Sequence, residues 1–493
     1  MAGMDTEDNL YAALLARDAR FDGRFFVGVT STGIYCRPVC RVRAPRRANC
    51  RFFGHAAAAE AAGFRPCRRC RPELAPPQAA LASGAGLATA AAARIEAGCI
   101  EAGGLSALAV RLGVSERHFR RVFREQFGVT PVAYVQTQRL LLVKRLLTDT
   151  DLPITEVALA AGFGSLRRCN ELFRAHYGLA PGAWRKGSGE DGGASLAGAA
   201  DAGFRFTLAY RPPFDWPRLA AFLGARAIPG VEMVNGACYR RSVSIEQGTQ
   251  TRAGWLEVSA APERSEVHAR VSRELVPALP GVLAGVRRLC DLACEPAAVN
   301  EVLGDLAADA PGLRIPGAFD AFEMSVRAVL GQQITVRAAH TLAGRLVARW
   351  GVACATPWPE VNRLFPTARQ FASLTVDDLG ALGIVAQRAR AILALASAVA
   401  AGEIDLQPGA DLGVTMAALQ DLPGIGPWTA QYIALRALAW PDAWPKGDIA
   451  LRKALGVRTD REAQTMAEAW RPWRGYATMH LWRRLSETNR PST

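Results

Sequence analysis

Residues 113–134 read GVSERHFRRVFREQFGVTPVAY, and residues 163–184 read FGSLRRCNELFRAHYGLAPGAW. They are one pattern written twice: at a single offset Phe123 aligns with Phe173, Phe127 with Tyr177, Gly128 with Gly178, Pro131 with Pro181 and Tyr134 with Trp184. Ordered matches of this kind mark a structural repeat. In the first copy Phe119, Val122, Phe123 and Phe127 fall at i, i+3, i+4 and i+8, one face of a helix, while Arg117, Arg120, Arg121 and Arg124 point mostly elsewhere. The second copy places Cys169, Leu172, Phe173 and Tyr177 in the same way. Each helix follows a short amphipathic one, Leu105 to Leu112 or Ile154 to Ala161, and a turn ending in an N-capping serine, Ser115 or Ser165. The spacing therefore predicts a helix-turn-helix, twice, joined by a helix from Pro131 to Leu147. Side chains free to reach bases are Glu116, Arg117, Arg120 and Arg121, then Leu166, Arg167, Arg168 and Asn170. Arginine reads guanine in two-pronged fashion and asparagine reads adenine. A solvated, arginine-rich surface helix is the plainer alternative for either copy alone.

Working outward, 493 residues suggest three to four domains. With 50% hydrophobic and 21% charged residues the chain can bury several cores and is not broadly disordered. A surplus of 59 Lys+Arg over 45 Asp+Glu, formally +14, points to a polyanionic partner. Asp5, Glu7, Asp8, Arg17, Asp18 and Arg20 interrupt the first 25 residues, so no secretory or spanning segment is expected there and no membrane partner. Eleven cysteines, an odd number with four in two close pairs, suit metal binding in a reducing compartment. Pro76-Pro77 and residues 187–203, GSGEDGGASLAGAADAG, read as linkers. The helix-turn-helix pair, over about 87 to 186, resembles the DNA-binding unit of AraC-type transcription regulators.

Cys36-x3-Cys40, 26 residues, then Cys67-x2-Cys70 supplies four thiolates in the grouping a closed tetrahedral zinc site requires. A purely structural zinc is the plain reading. The surroundings argue for more: Arg37, Arg41, Arg43, Arg46, Arg47, Arg51, Arg65, Arg68, Arg69 and Arg71 crowd the site, and Glu60 is the only acid between Cys36 and Cys70. Such a surface attracts phosphates, and a metal-bound thiolate is nucleophilic at neutral pH. FFVGVTSTGIYCRPVCRVR with AAGFRPCRRCRPE resembles the N-terminal domain of the Ada adaptive-response proteins, over about residues 9 to 74. The resemblance implies one zinc ion, structural and nucleophile-activating, held by Cys36, Cys40, Cys67 and Cys70. It also implies that Cys36 accepts a methyl group from a DNA methylphosphotriester, and that Thr32, Arg41, Arg43 and Arg65 contact DNA. The Pro-Cys-His-Arg motif of a second methyltransferase is absent from the sequence.

Towards the C-terminus LPGIGP, Leu422 to Pro427, follows a helix ending near Asp421 and precedes another from Trp428 to Leu438. This is a helix-hairpin-helix signature: Gly424 and Gly426 permit a tight turn whose amides can meet a phosphate, with Leu422 and Ile425 as anchors. A plain helical hairpin would look similar. Asp448 opens a later helix, where capping is the ordinary role of such a residue. The combination of LPGIGPWTAQYIALRALAW, PKGDIALRKALG and WRPWRGYATMHLW resembles the AlkA type of alkyl-base DNA glycosylase, over about 204 to 487. By that resemblance Asp448 is the catalytic carboxylate, and Trp428, Tyr432 and Trp482 line a base pocket. Trp440, Trp470 and Trp473 are expected in the core. The same resemblance implies that the GQQIT turn, Gly331 to Thr335, enters the duplex, with Gln333 where the family can use an apolar wedge.

The expected fold is multidomain α+β: a small zinc-stapled α/β domain (1–77), an all-α double helix-turn-helix domain (85–187), a linker (188–203), a β-rich subdomain (204–282) and a helix-hairpin-helix α-bundle (283–493). The β-rich reading rests on the alternation of Phe204, Phe206, Leu208 and Tyr210 and on runs at Trp255 to Val258 and Val267 to Val271. The expected function is methyl acceptor, methylation-switched regulator and monofunctional glycosylase for 3-methyladenine- and 7-methylguanine-type bases. Double-stranded DNA and RNA polymerase are the expected partners, in a bacterial cytoplasm at the nucleoid. Two rivals stay open: a regulator whose glycosylase-like domain only binds DNA, and a repair enzyme whose zinc module only docks it.

Overall fold

The computed structural model describes residues 6–78, 86–98, 104–186, 203–247 and 250–488. The linker expected at 188–203 lies outside the described residues except for Gly203. The chain forms two compact units: Met1–Pro212 with Ile245–Arg252 and Ala261–Leu283, and Pro213–Ser244 with Ala253–Ala260 and Ala284–Thr493.

In the first unit, helix α1 (Glu7–Ala16) precedes a four-stranded sheet in the order β3-β1-β2-β4. Strand β1 (Phe26–Val29) pairs antiparallel with β2 (Ile34–Cys36) and with β3 (Cys50–Phe53). Strand β2 runs parallel to β4 (Arg65–Pro66), with Ile34 opposite Arg65 and Tyr35 opposite Pro66. One more step of that register sets Cys36 beside Cys67. Between β3 and β4 in the chain, α2 (Ala56–Ala61) is almost all alanine, and its buried Ala56 and Ala59 join Phe26, Tyr35, Phe64 and Leu141 in one core.

The repeat folds as its spacing predicts. After α3 (Leu87–Glu96) come α4 (Gly104–Arg111), α5 (Glu116–Phe127), α6 (Pro131–Asp149), α7 (Ile154–Ala160), α8 (Leu166–Tyr177) and α9 (Pro181–Lys186). Ser115 accepts from the His118 amide and Ser165 from the Arg168 amide, each cap contributing about 1 kcal/mol. Both helices end on a left-handed glycine, Gly128 at φ +67° and Gly178 at φ +73°, where a side chain would be strained. Pro131 and Pro181 then start the next helix, needing no amide donor there. Phe119, Phe123, Cys169, Phe173 and Tyr177 are buried, so the repeated apolar face is the core face.

Five more strands follow: β5 (Phe204–Ala209), β6 (Glu232–Asn235), β7 (Cys238–Gln247), β8 (Gln250–Ala261) and β9 (Glu266–Val271). The boundary between the units runs through β7 and β8. In the first unit β5 pairs antiparallel with β9, and the alternation read from the sequence buries Phe206, Leu208, Val267, Ala269 and Val271. In the second, β6 and β7 form a hairpin closed at Asn235 and Cys238.

Apart from these strands and its share of β8, the second unit is built on helices. It contains α10 (Trp216–Gly224) and most of α11 (Leu279–Leu289), then α12 (Pro296–Leu303), α13 (Ala321–Leu330), α14 (Val336–Trp350), α15 (Ala368–Ala372) and α16 (Val376–Gly380). The chain continues through α17 (Ala386–Ala401), α18 (Leu412–Asp421), α19 (Pro427–Arg436), α20 (Ile449–Leu455), α21 (Asp460–Ala467) and α22 (Arg474–Thr488). Val326, Val329, Leu330, Ile392, Leu395, Ile433 and Leu435 fill its interior. The interior also holds a buried ionic cluster that the residue pattern does not announce, in which Glu323 meets Arg241 at 2.6 Å and Arg327 at 3.1 Å. Of the tryptophans expected in the core, Trp473 is buried, but Trp440 and Trp470 are half-buried and Trp444 takes the interior place. No helix among the described residues is long and apolar enough to cross a membrane.

Candidate functional site

The parallel β2–β4 register delivers Cys36 and Cys67, and the turns that follow return Cys40 and Cys70 to them. All four sulfurs lie within 4.8 Å of one another, against about 3.8 Å for the edge of a zinc–thiolate tetrahedron with bonds of about 2.3 Å. Cys36, Cys40 and Cys67 are 5 to 6% exposed and Cys70 is half-buried. Hydrogen bonding with Cys40, Cys67 and Cys70, then burial, push the Cys36 thiol well above the usual range. Four sulfurs this close together repel one another as thiolates unless a cation lies between them, so the donor set fits one zinc ion. The Arg37 amide donates to Cys70 Sγ at 3.3 Å, an outer contact of the kind that orients a ligand.

The arginines around the cluster divide in two. Arg37 is buried against Asp22, Arg71 bridges Glu73 and Asp149, and Arg68 lies 4.3 Å over the Trp184 ring. These hold the fold together. Thr32, Arg41, Arg43 and Arg65 are exposed, as DNA contacts require, and Arg65 also donates to the Tyr177 carbonyl at 3.4 Å. On α5 and α8 the side chains of Arg117, Arg120, Arg121, Arg167 and Arg168 are exposed and Asn170 is half-buried. Several are engaged along their own helix: Arg120 with Glu116, Arg121 with Glu125 at 3.0 Å and Arg167 with Glu171 at 2.9 Å. Exposed pairs of this kind contribute about 0.3–0.5 kcal/mol, so a phosphate can displace the carboxylate.

In the second unit Asp448 caps α20, its Oδ1 accepting from the Leu451 amide at 2.8 Å. Capping is not its whole surrounding. Trp428 Nε1 donates to Oδ2 at 2.9 Å and Trp482 Nε1 to Oδ1 at 3.5 Å, so N–H groups from three helices aim at one half-buried carboxylate. Trp428 and Tyr432 stack at 5.2 Å and 8°, and Tyr432 stands 6.1 Å from Trp482 at 48°. The three expected pocket aromatics are therefore together, but Trp428 and Tyr432 rest on each other and leave no slot between them. The hairpin turn joins α18 to α19 with Ile425 buried as its anchor and Leu422 half-buried. Gly424 has φ +80°, whereas Gly426, at φ −83°, needs no glycine on backbone grounds.

Some contributors escaped the sequence reading. Gln332 Nε2 donates to the Gly424 carbonyl and to Thr429 Oγ1, both at 2.9 Å, and Arg388 donates to the Gln332 carbonyl. These bonds tie the GQQIT turn to the hairpin and leave the adjacent Gln333 exposed at φ +53°. Arg436 Nη1 donates to the Tyr432 hydroxyl at 2.9 Å. Arg436 sits one helical turn beyond Tyr432, which was the available signal.

Four family models match in order: the metal binding domain of Ada over residues 9–73, a helix-turn-helix domain over 108–187, the AlkA N-terminal domain over 205–320, and the HhH-GPD superfamily of base excision DNA repair proteins over 326–475. The "DNA-3-methyladenine glycosylase 2" of Escherichia coli is 38% identical over 279 residues, 56% of this chain and 96% of that protein. The "Bifunctional transcriptional activator/DNA repair enzyme Ada" of the same organism is 38% identical over 158 residues, 32% of this chain and 43% of its own length. The "Probable bifunctional transcriptional activator/DNA repair enzyme AlkA" of Mycobacterium tuberculosis is 38% identical over 491 residues, 98% of this chain and 97% of that protein. With this identity sustained along nearly the whole of both chains, the protein belongs to the family of bifunctional transcriptional activator/DNA repair enzymes of the AlkA type.

Proposed function

We propose that this chain senses, reports and repairs alkylated DNA, with residues 1–77 as methyl acceptor, 85–187 as promoter reader and 204–493 as glycosylase. What supports the reading above all is that one chain carries both a closed set of four sulfurs and a carboxylate with two indole donors. In the first reaction a Cys36 sulfur lone pair forms a bond to the methyl carbon of a methylphosphotriester. The O–CH3 bond breaks, and its electrons leave on the oxygen of a restored phosphodiester. Bound zinc would keep the sulfurs deprotonated at neutral pH. The cluster's formal charge then moves from −2 to −1, which weakens repulsion from the DNA backbone and turns the helix-turn-helix pair towards its promoter. A thioether has no easy way back, so each molecule acts once.

In the second reaction Asp448 stabilises the oxocarbenium-like sugar as the bond from C1′ to the base breaks, and orients the attacking water. A 3-methyladenine- or 7-methylguanine-type base is already cationic and leaves without a strong general acid. Trp428, Tyr432 and Trp482 offer π-faces to that base once it leaves the stack. The amides at the start of α19, with Gly424 and Gly426, hold a phosphate, and Gln333 enters the duplex. RNA polymerase is the partner an activator works through, and the nucleoid of a bacterial cytoplasm is the site of action.

The test uses methylated duplex DNA. Asp448→Asn should abolish release of free base while the DNA is still bound, and labelled methyl should pass to the parent protein but not to Cys36→Ala. Unchanged base release in the first variant leaves a domain that only binds DNA. Unchanged labelling in the second leaves a zinc module that only docks.

A further inference from the structure

The first unit buries a carboxylate that neither reaction uses. Glu60 lies on the alanine face of α2 and is 7% exposed. Its Oε1 accepts from the hydroxyls of Tyr35 at 3.1 Å and Tyr177 at 3.4 Å, and its Oε2 from Thr137 Oγ1 at 3.0 Å, with His176 Nδ1 4.0 Å away. The three hydroxyl groups come from β2, α8 and α6, and all three residues are buried.

Each donor lies next to the proposed machinery and outside it. Tyr35 directly precedes Cys36, and its carbonyl accepts from the Cys67 amide at 2.9 Å. Tyr177 is the last residue of the second recognition helix, and Thr137 stands on the helix that joins the two motifs. Further bonds join the zinc module to α6 and to α9: Lys144 Nζ to the Cys67 carbonyl at 3.4 Å and Arg68 Nη2 to the Trp184 carbonyl at 3.0 Å. An apolar residue would fill this space at a smaller desolvation cost. What a carboxylate adds is direction, since three hydroxyls converge on it only when strand and helices are in register.

We infer that Glu60 is a positioning residue, locking the strand that bears the methyl acceptor to recognition helix α8 so that zinc module and helix read one duplex at one fixed base-pair spacing. This rests on the function proposed above. The acceptor chemistry belongs to the four sulfurs, so Glu60 acts on where the methylated module falls relative to α8 and not on whether Cys36 takes a methyl group.

The test uses the zinc-loaded full chain, methylated at Cys36, and duplexes selected with it from a random pool. One base pair is then inserted between the segments protected by the zinc module and by α8, which shifts and rotates one against the other. The parent should lose affinity by at least about tenfold on insertion, and Glu60→Leu by less than about threefold. Glu60→Gln, which keeps a carbonyl acceptor, should restore the discrimination, and Thr137→Val, which removes one donor, should fall between. Methyl uptake and one zinc per chain should be unchanged in all four, and if Glu60→Leu fails to hold zinc, Thr137→Val decides. Equal insertion penalties for parent and variants, or a parent that tolerates the insertion, would overturn the inference. A parent that takes up no methyl, or gains no DNA affinity from it, overturns the proposed function instead.

Discussion

The thiolate cluster and the carboxylate site are anchored in opposite ways. The sulfurs come from two short sequence pairs joined by a single parallel strand register, and they need an ion to lie so close together. Asp448 draws its donors from Trp428, 20 residues before it, and Trp482, 34 residues after it, as well as from its own helix. The first arrangement is all or none, because removing the ion removes the reason for every contact. The second is graded, because each hydrogen bond can be deleted singly.

The largest expected effect follows from that contrast. Zinc binding to four thiolates is worth about 10–16 kcal/mol of folding free energy in small modules, so a chelator should unfold residues 9–73. Amide exchange should show β1 to β4 losing protection while base release by the second unit continues. Loss of both together would erase the distinction.

A smaller effect separates two buried carboxylates beside α6. Burial pushes Glu60 up to about 7, against hydrogen bonds from Thr137, Tyr35 and Tyr177 that favour its charge. Burial would also raise Glu73, but Lys144 and Arg71 outweigh it and hold that carboxyl down to about 2. Glu60 binds its proton more tightly folded than unfolded, so stability should fall as pH rises from about 4.5 to 7, by up to about 3 kcal/mol. Glu73 does the reverse: its contribution is present above about 4.5 and is lost as pH falls towards 2. Melting curves of parent and Glu60→Gln across this range check the sign. Asp291, raised to about 6 by its own burial, is common to both proteins, so the parent should lose more stability towards neutrality than the variant.

At the graded site, Trp428→Phe keeps a ring but removes the N–H on Asp448. A hydrogen bond to a charged group is worth about 1.5–3 kcal/mol, so single-turnover base release should slow by roughly 10- to 100-fold at saturation. The concentration for half-saturation should barely move, and a change there with the rate intact would make Trp428 a stacking residue alone. Smallest of all, Ser165→Ala should cost about 1 kcal/mol of stability through the lost cap on α8, visible in denaturant unfolding.

How much of this was legible depends on how local each interaction is. The caps Ser115 and Ser165, the closing glycines and the four cysteines act within a few residues, and their spacing alone placed them. Asp448, Trp428 and Trp482 could be named by resemblance, but not the indole hydrogen bonds onto the carboxylate, which depend on how α19, α20 and α22 pack. Glu60 stood out as the lone acid between Cys36 and Cys70, yet nothing in the sequence connects it with hydroxyls at 35, 137 and 177. The arginines misled in a similar way: counted along the chain they make one basic surface, whereas Arg37 and Arg71 turn inward to bind Asp22 and Glu73, and Arg68, itself exposed, lies over the Trp184 ring.

The central claim is that a single sulfur takes the methyl group while a separate carboxylate releases the base. Incubating the zinc-loaded chain with methylated DNA, then mapping methyl groups over its eleven cysteines and assaying free bases in the same tube, tests it most directly. The account predicts methyl on Cys36 alone, in at most one copy per chain, together with continuing release of alkylated purine. Methyl on Cys70 or on no cysteine, or a burst of base that ends when the sulfur is spent, would contradict it.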